Sequence, residues 1–222
     1  GALGQQILRH FGKAVAALRS TVHAPRIGYV LATQLGRPAT DARADLDAAR
    51  AATFAVRDRT HGSNAWWPDP VVLGKYPEDG LELFGSEMPA FPDSDWTDLK
   101  QPIDFLGLNV YRAETYRASD DGKFEMLPVP PGYPRSGVDW QPITPDAMYY
   151  GPRFFHERYK LPLWITENGL STRDQVFLDG KVHDPQRIEY LHRSLLELRR
   201  AMRDGVQVDG YLAWSLLDNF EW

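Results

Sequence analysis

No cysteine occurs among the 222 residues, so disulfides and thiolate metal sites are excluded. A cytoplasmic protein fits that absence. Positive charge is not in excess either: 25 Lys and Arg stand against 30 Asp and Glu, a formal net charge of -5. A general nucleic-acid binder would carry a basic face. No apolar run approaches the roughly 18–20 residues of a membrane span. The opening Gly1-Ala2-Leu3-Gly4-Gln5-Gln6 has neither the charged start nor the apolar stretch of a signal peptide. There is no internal repeat and no low-complexity linker. His10, His23, His61, His156 and His192 show no metal-ligand spacing, so no metal is expected, and His183 is placed to order a loop.

Aromatic side chains are abundant instead, with 7 Trp, 10 Tyr and 10 Phe. Such residues fill cores. They also line clefts in which the apolar face of a sugar stacks on an indole.

Hydrophobic spacing predicts a helix over Ala2 to Ser20, with Leu3, Ile7, Phe11, Ala14, Val15 and Leu18 on one face. A short strand follows at Arg26 to Ala32, and a helix at Asp41 to Arg59. The Trp- and Pro-rich stretch Trp66-Trp67-Pro68-Asp69-Pro70, leading to Asp79, reads as a structured loop or short helices. A second strand is expected over Ile103 to Tyr111. Ala113 to Gln141, dense in Pro, Gly and Asp, reads as a long loop. A helix is expected over Pro145 to Tyr159, with Thr144 as cap and a kink or break at Pro152. Leu163 to Thr166 is a third strand. Asp184-Pro185 opens a helix whose apolar face is Ile188, Leu191, Leu195, Leu198 and Met202, and Gly205 ends it. Val208 to Ser215 is the fourth strand.

Alternation of helices with near-continuously apolar strands implies an α/β fold with parallel strands buried on both faces. The whole of 1–222 is expected to be one domain. The first strand is not followed by a Gly-rich phosphate loop, since Ala32-Thr33-Gln34-Leu35-Gly36 lacks that fingerprint. Polar residues gather instead after the strand ends: Asn109 and Tyr111, then Glu167 and Asn168, then Ser215 to Glu221. Parallel barrels place their chemistry there.

Two segments carry most of the information. Leu163-Trp164-Ile165-Thr166-Glu167-Asn168-Gly169 is an apolar strand running into a carboxylate and a turn. Trp214-Ser215-Leu216-Leu217-Asp218-Asn219-Phe220-Glu221-Trp222 ends an apolar run with a carboxylate between aromatics. Three further segments follow the same order: Gly74-Lys75-Tyr76-Pro77, Phe105-Leu106-Gly107-Leu108-Asn109 and Val182-His183-Asp184-Pro185-Gln186-Arg187-Ile188. Together these resemble glycoside hydrolase family 1, the β-glucosidase family. The match covers essentially the whole chain but only the C-terminal half of the family's barrel.

The resemblance implies the C-terminal half, strands five to eight, of a (β/α)8 TIM barrel. It implies a retaining β-glucosidase acting on a β-glucoside or short β-linked oligosaccharide, with no cofactor. Glu167 would be the nucleophile and Tyr111 the catalytic tyrosine that hydrogen-bonds it. Asn109 would be a neighbouring substrate-binding group and Trp214 the platform under the sugar ring. Glu221 would accept sugar hydroxyls, with Trp222 beside it, and Trp140 would flank the aglycone. A carboxylate at Glu221 would repel a sugar phosphate, which disfavours a phospho-glycosidase. The sequence departs from the family at one decisive point: the acid/base carboxylate lies in an Asn-Glu-Pro motif, and no Asn-Glu-Pro is present. A half-barrel is therefore expected to need the N-terminal half-barrel or a second copy of itself as partner. The alternative is a non-catalytic carbohydrate-binding or self-assembling half-barrel.

Overall fold

In the computed structural model, every residue is described except 1, 60, 61, 91, 218, 221 and 222. Along the chain run α1 (Ala2–Thr21), β1 (Gly28–Ala32), β2 (Leu35–Pro38), α2 (Arg43–Phe54), α3 (Pro68–Val72), α4 (Glu78–Phe84), a 3-10 turn (Gly85–Glu87) and α5 (Asp95–Leu99). They are followed by β3 (Phe105–Asn109), β4 (Ala113–Ala118), β5 (Phe124–Leu127), α6 (Ala147–Tyr159), β6 (Leu163–Glu167), α7 (Pro185–Arg203) and β7 (Val208–Tyr211).

The main sheet has the order β1-β3-β6-β7, and each neighbouring pair is parallel. The four expected strands are therefore these four. One face of the sheet meets helices. Leu31, Leu106, Leu108, Leu163 and Ile165 join Phe154 and Phe155 of α6 and Leu198 and Ala201 of α7 in one core. Tyr29 of β1 meets Phe11 of α1 edge-on, with ring centroids 4.9 Å apart. On the opposite face large and small residues interlock. A Cβ on Gly28 would fall 2.2 Å from the Phe105 ring, and one on Gly210 would fall 2.4 Å from the Trp164 indole. Glycine at these two places is what lets the rings lie flat across the neighbouring strand.

A stretch expected as loop carries β4 and β5, an antiparallel hairpin that extends β2 into a second, three-stranded sheet. The hairpin turns at Gly122, which takes a left-handed φ of +76°. The density of Pro, Gly and Asp across Ala113 to Gln141 hid two short strands that lack a clear alternation. Within them, Ala113 and Tyr116 are buried while Arg117 is exposed.

Thr144 is not the cap of α6. Its hydroxyl accepts from the Ala113 amide at 2.8 Å, and Asp146 takes the N-cap position without a side-chain cap bond. Pro152 leaves α6 unbroken from Ala147 to Tyr159.

The apolar faces of the two long helices are only partly covered. In α7, Tyr190, Ser194, Leu198 and Ala201 are buried, whereas Ile188, Leu195 and Met202 are 63%, 43% and 48% exposed. In α1, Leu8 and Val15 are buried, whereas Leu3, Ile7 and Leu18 are 76%, 53% and 45% exposed.

Candidate active site

The C-terminal ends of β3, β6 and β7 bring the polar residues together, and an irregularity in β6 aims them. Leu106, Gly107 and Leu108 stand opposite Leu163, Trp164 and Ile165, but Asn109 stands opposite Glu167. β6 therefore carries one extra residue, Thr166, in a bulge. In a regular strand successive side chains point to opposite faces, so Glu167 would turn away from Trp164 toward the helices. The bulge returns it to the face shared with Asn109. Thr166 also reaches that face, where its hydroxyl donates to the Asn109 side-chain oxygen at 2.7 Å.

Tyr111 completes the centre of the site. Its hydroxyl donates to Glu167 Oε2 at 2.7 Å. The Trp140 ring meets the Tyr111 ring edge-on, with centroids 5.8 Å apart, and Trp140 is 38% exposed. Trp214 lies at the same mouth: its amide donates to the Asn168 carbonyl at 2.9 Å, and the Trp214–Ser215 peptide is cis. Asn109, Tyr111, Trp140, Glu167 and Trp214 thus gather at one end of the sheet. Glu221 and Trp222 lie outside the described residues.

Beneath Glu167 and Tyr111 is a polar layer of which the sequence reading singled out only Asn168. Asn168 is fully buried. Its Nδ2 donates to the Val110 carbonyl at 2.7 Å and to the Tyr190 hydroxyl at 3.0 Å, and its Oδ1 accepts from the Tyr211 hydroxyl at 2.9 Å. The Tyr190 hydroxyl donates in turn to the Tyr111 carbonyl at 3.1 Å. Gln141, also buried, donates from Nε2 to the Gly169 carbonyl at 3.0 Å. Burial pushes the Tyr190 hydroxyl above the ordinary tyrosine range. Burial, with Tyr190 nearby, pushes Tyr211 up to about 12. Both remain neutral donors at physiological pH. Asn168 stands at a strand end, but nothing local in the sequence marks the others, because a tyrosine counts as partly polar in a helix periodicity and a glutamine in a loop carries no pattern.

Two cavities of about 340 Å³ lie elsewhere, one of them between α2 and the β2-β4-β5 sheet with Arg57, Asn64, Arg112 and Glu114 in its wall. Neither is lined by Glu167 or Tyr111. Among the described residues, no group of three or more His, Asp or Glu is placed to hold a metal ion. Also among them, no helix is long and apolar enough to cross a membrane.

Comparison with known proteins gives a consistent picture. The family profile described as Glycosyl hydrolase family 1 matches residues 3–222. The 1,4-beta-D-glucan glucohydrolase of Thermotoga neapolitana is 35% identical over 219 residues, 97% of this chain and 49% of that protein. Beta-glucosidase A of Thermotoga maritima is 34% identical over 219 residues, 97% of this chain and 47% of that protein. The solved structure of the beta-glucosidase from Thermotoga maritima in complex with deoxynojirimycin superposes with a TM-score of 0.80 at 32% identity, covering 99% of this chain and 48% of that one. The chain spans about half the length of the curated relatives it matches.

Proposed function

The chain belongs to glycosyl hydrolase family 1, and from that premise we propose that it is the C-terminal half of a retaining β-glucosidase barrel, strands five to eight, forming a single domain. The observation that carries this reading is the 2.7 Å hydrogen bond from Tyr111 to Glu167 at the C-terminal end of a parallel strand. In such an enzyme one carboxylate attacks the anomeric carbon and forms a glycosyl-enzyme. A second carboxyl, about 5–5.5 Å away, protonates the leaving oxygen and later activates water. Glu167 is the nucleophile. Tyr111 holds one of its oxygens so that the other faces the sugar, a fixed geometry of the kind that lowers the entropic cost of attack.

The sugar lies over Trp214, with Glu221 receiving its hydroxyls and Trp222 beside it, Asn109 at its reacting end and Trp140 beside the aglycone. A carboxylate such as Glu221 can accept two hydroxyl hydrogen bonds. The acid/base carboxylate comes from outside this sequence, in the N-terminal half-barrel or the equivalent surface of another chain. General acid catalysis is worth about 10²–10⁴-fold. This chain by itself should therefore turn over natural β-glucosides poorly.

The test uses a leaving group that needs no acid. The protein is incubated with 2,4-dinitrophenyl 2-deoxy-2-fluoro-β-glucoside and examined by intact-mass spectrometry. A single fluoroglucosyl adduct on Glu167, absent in Glu167→Gln, is expected. No adduct on a folded sample would refute a preorganised nucleophile in this chain. It would favour the second reading, a binding or assembling half-barrel, which the exposed stripes of α1 and α7 support.

A further inference from the structure

The ladder between β3 and β6 ends before it reaches Tyr111. Its last rung is the Val110 amide donating to the Glu167 carbonyl at 2.8 Å. Beyond that rung, side chains from other elements fix the chain. The Val110 carbonyl takes Asn168 Nδ2, and the Tyr111 carbonyl takes the Tyr190 hydroxyl at 3.1 Å and Gln141 Nε2 at 3.4 Å. The donors form a directed relay: Tyr211 donates to Asn168, Asn168 to Tyr190, and Tyr190 to Tyr111. Tyr190 is only 3% exposed. Its single hydroxyl proton is committed to Tyr111, because Asn168 supplies the proton its oxygen accepts.

We propose that Tyr190 is a positioning residue, which fixes the main chain of Tyr111 from α7 and through Tyr111 sets the orientation of Glu167. This rests on the reading of Glu167 as the nucleophile. A phenylalanine at 190 keeps the ring and its packing but takes away the 3.1 Å hydrogen bond to the Tyr111 carbonyl, beside which the Gln141 contact is longer, at 3.4 Å. Tyr111 can then swing, and the hydrogen bond that orients the carboxylate weakens.

A double-mutant cycle separates this role from plain packing. Wild type, Tyr190→Phe, Tyr111→Phe and the double variant are labelled with 2,4-dinitrophenyl 2-deoxy-2-fluoro-β-glucoside across a range of reagent concentrations. Tyr190→Phe should slow labelling roughly tenfold, as a small misplacement of a reacting group does. It should lower the limiting labelling rate while leaving the half-saturating reagent concentration unchanged. In the Tyr111→Phe background the same substitution should slow labelling no further. An equal slowing in both backgrounds, or an unchanged limiting rate in folded Tyr190→Phe, overturns the proposal. Should Tyr190→Phe fail to fold, Gln141→Leu, which removes the other donor to the Tyr111 carbonyl, takes its place in the cycle. A folded wild type that takes no label counts against the proposed function instead. The positioning role is then read from the carboxyl carbon resonance of Glu167. That resonance should shift in Tyr190→Phe at constant pH, and an unmoved resonance overturns the proposal.

Discussion

Gly169 sits directly against the main-chain carbonyl of Trp214: a Cβ at position 169 would lie 1.8 Å from that oxygen. The contact locks the turn after β6 to the segment after β7, so the proposed nucleophile and the proposed sugar platform are held at a fixed spacing. Gly169→Ala must push the two segments apart. Overpacking of this kind costs about 1–3 kcal/mol. A lower melting temperature is expected, together with loss of labelling at Glu167 beyond what the unfolded fraction explains. A normal labelling rate at a reduced melting temperature would mean the spacing does not matter to the chemistry.

Asp69 of α3 is 1% exposed and is met by the guanidinium of Arg158 and the Tyr159 hydroxyl, both on α6. Removing one partner of a buried pair leaves the other charge uncompensated. Water reaches part of Arg158, so Asp69→Ala should cost about 3 kcal/mol, the lower end of the usual range. For a chain of this size that is a fall of roughly 6–12 °C in melting temperature. Calorimetry checks it. Labelling per folded molecule should stay unchanged, because the pair lies outside the polar layer under Glu167.

Tyr211 links β7 to Asn168, and its hydroxyl is pushed up to about 12 by burial and by Tyr190. An unfolded tyrosine titrates near about 10. A proton held more tightly in the folded state stabilises fully below the unfolded value and is lost as pH rises through the folded one. The contribution of Tyr211 should therefore be complete up to about pH 10 and vanish toward about pH 12. Other buried tyrosines, Tyr29 and Tyr76 among them, behave similarly. The informative quantity is thus the difference in urea midpoint between wild type and Tyr211→Phe. That difference should shrink as pH rises across this window; a constant difference would be contrary to the expectation.

The sheet ends at β1 and β7, and the apolar stripes of α1 and α7 are exposed. Surfaces of this kind invite pairing. Light scattering after size exclusion should give a mass above the 25.2 kDa of one chain. Ile188→Lys combined with Leu195→Lys should return it toward one chain. A well-folded species of 25.2 kDa in wild type would show that these surfaces are stable in water.

Much of this architecture could be read from the residues, though unevenly. The four strands of the main sheet were visible as apolar runs ending in polar groups, and Glu167 was conspicuous at the end of one. The β4-β5 hairpin was not, because each strand is short and the surrounding turn residues dominated the stretch. The long helices were recognisable by period, yet the covered side of α7 was not. Tyr190 counts as partly polar in a periodicity but is buried because its hydroxyl finds partners on Asn168 and Tyr111. The polar layer depends on residues 22 to 79 positions apart, a distance over which local pattern carries no information. The bulge at Thr166 was equally hidden, since it is a property of pairing with β3 rather than of either strand.

That bulge changes how much chemistry a strand end can present. A regular strand delivers one side chain to a given face about every 6.6 Å of its length. Here Thr166 and Glu167, consecutive in the chain, reach the same face beside Asn109. The mouth of the sheet carries polar groups at about twice the linear density of an ordinary pleat. Thr166 can hold Asn109 while Glu167 remains available to Tyr111, so one strand end both supports its neighbour and presents the carboxylate.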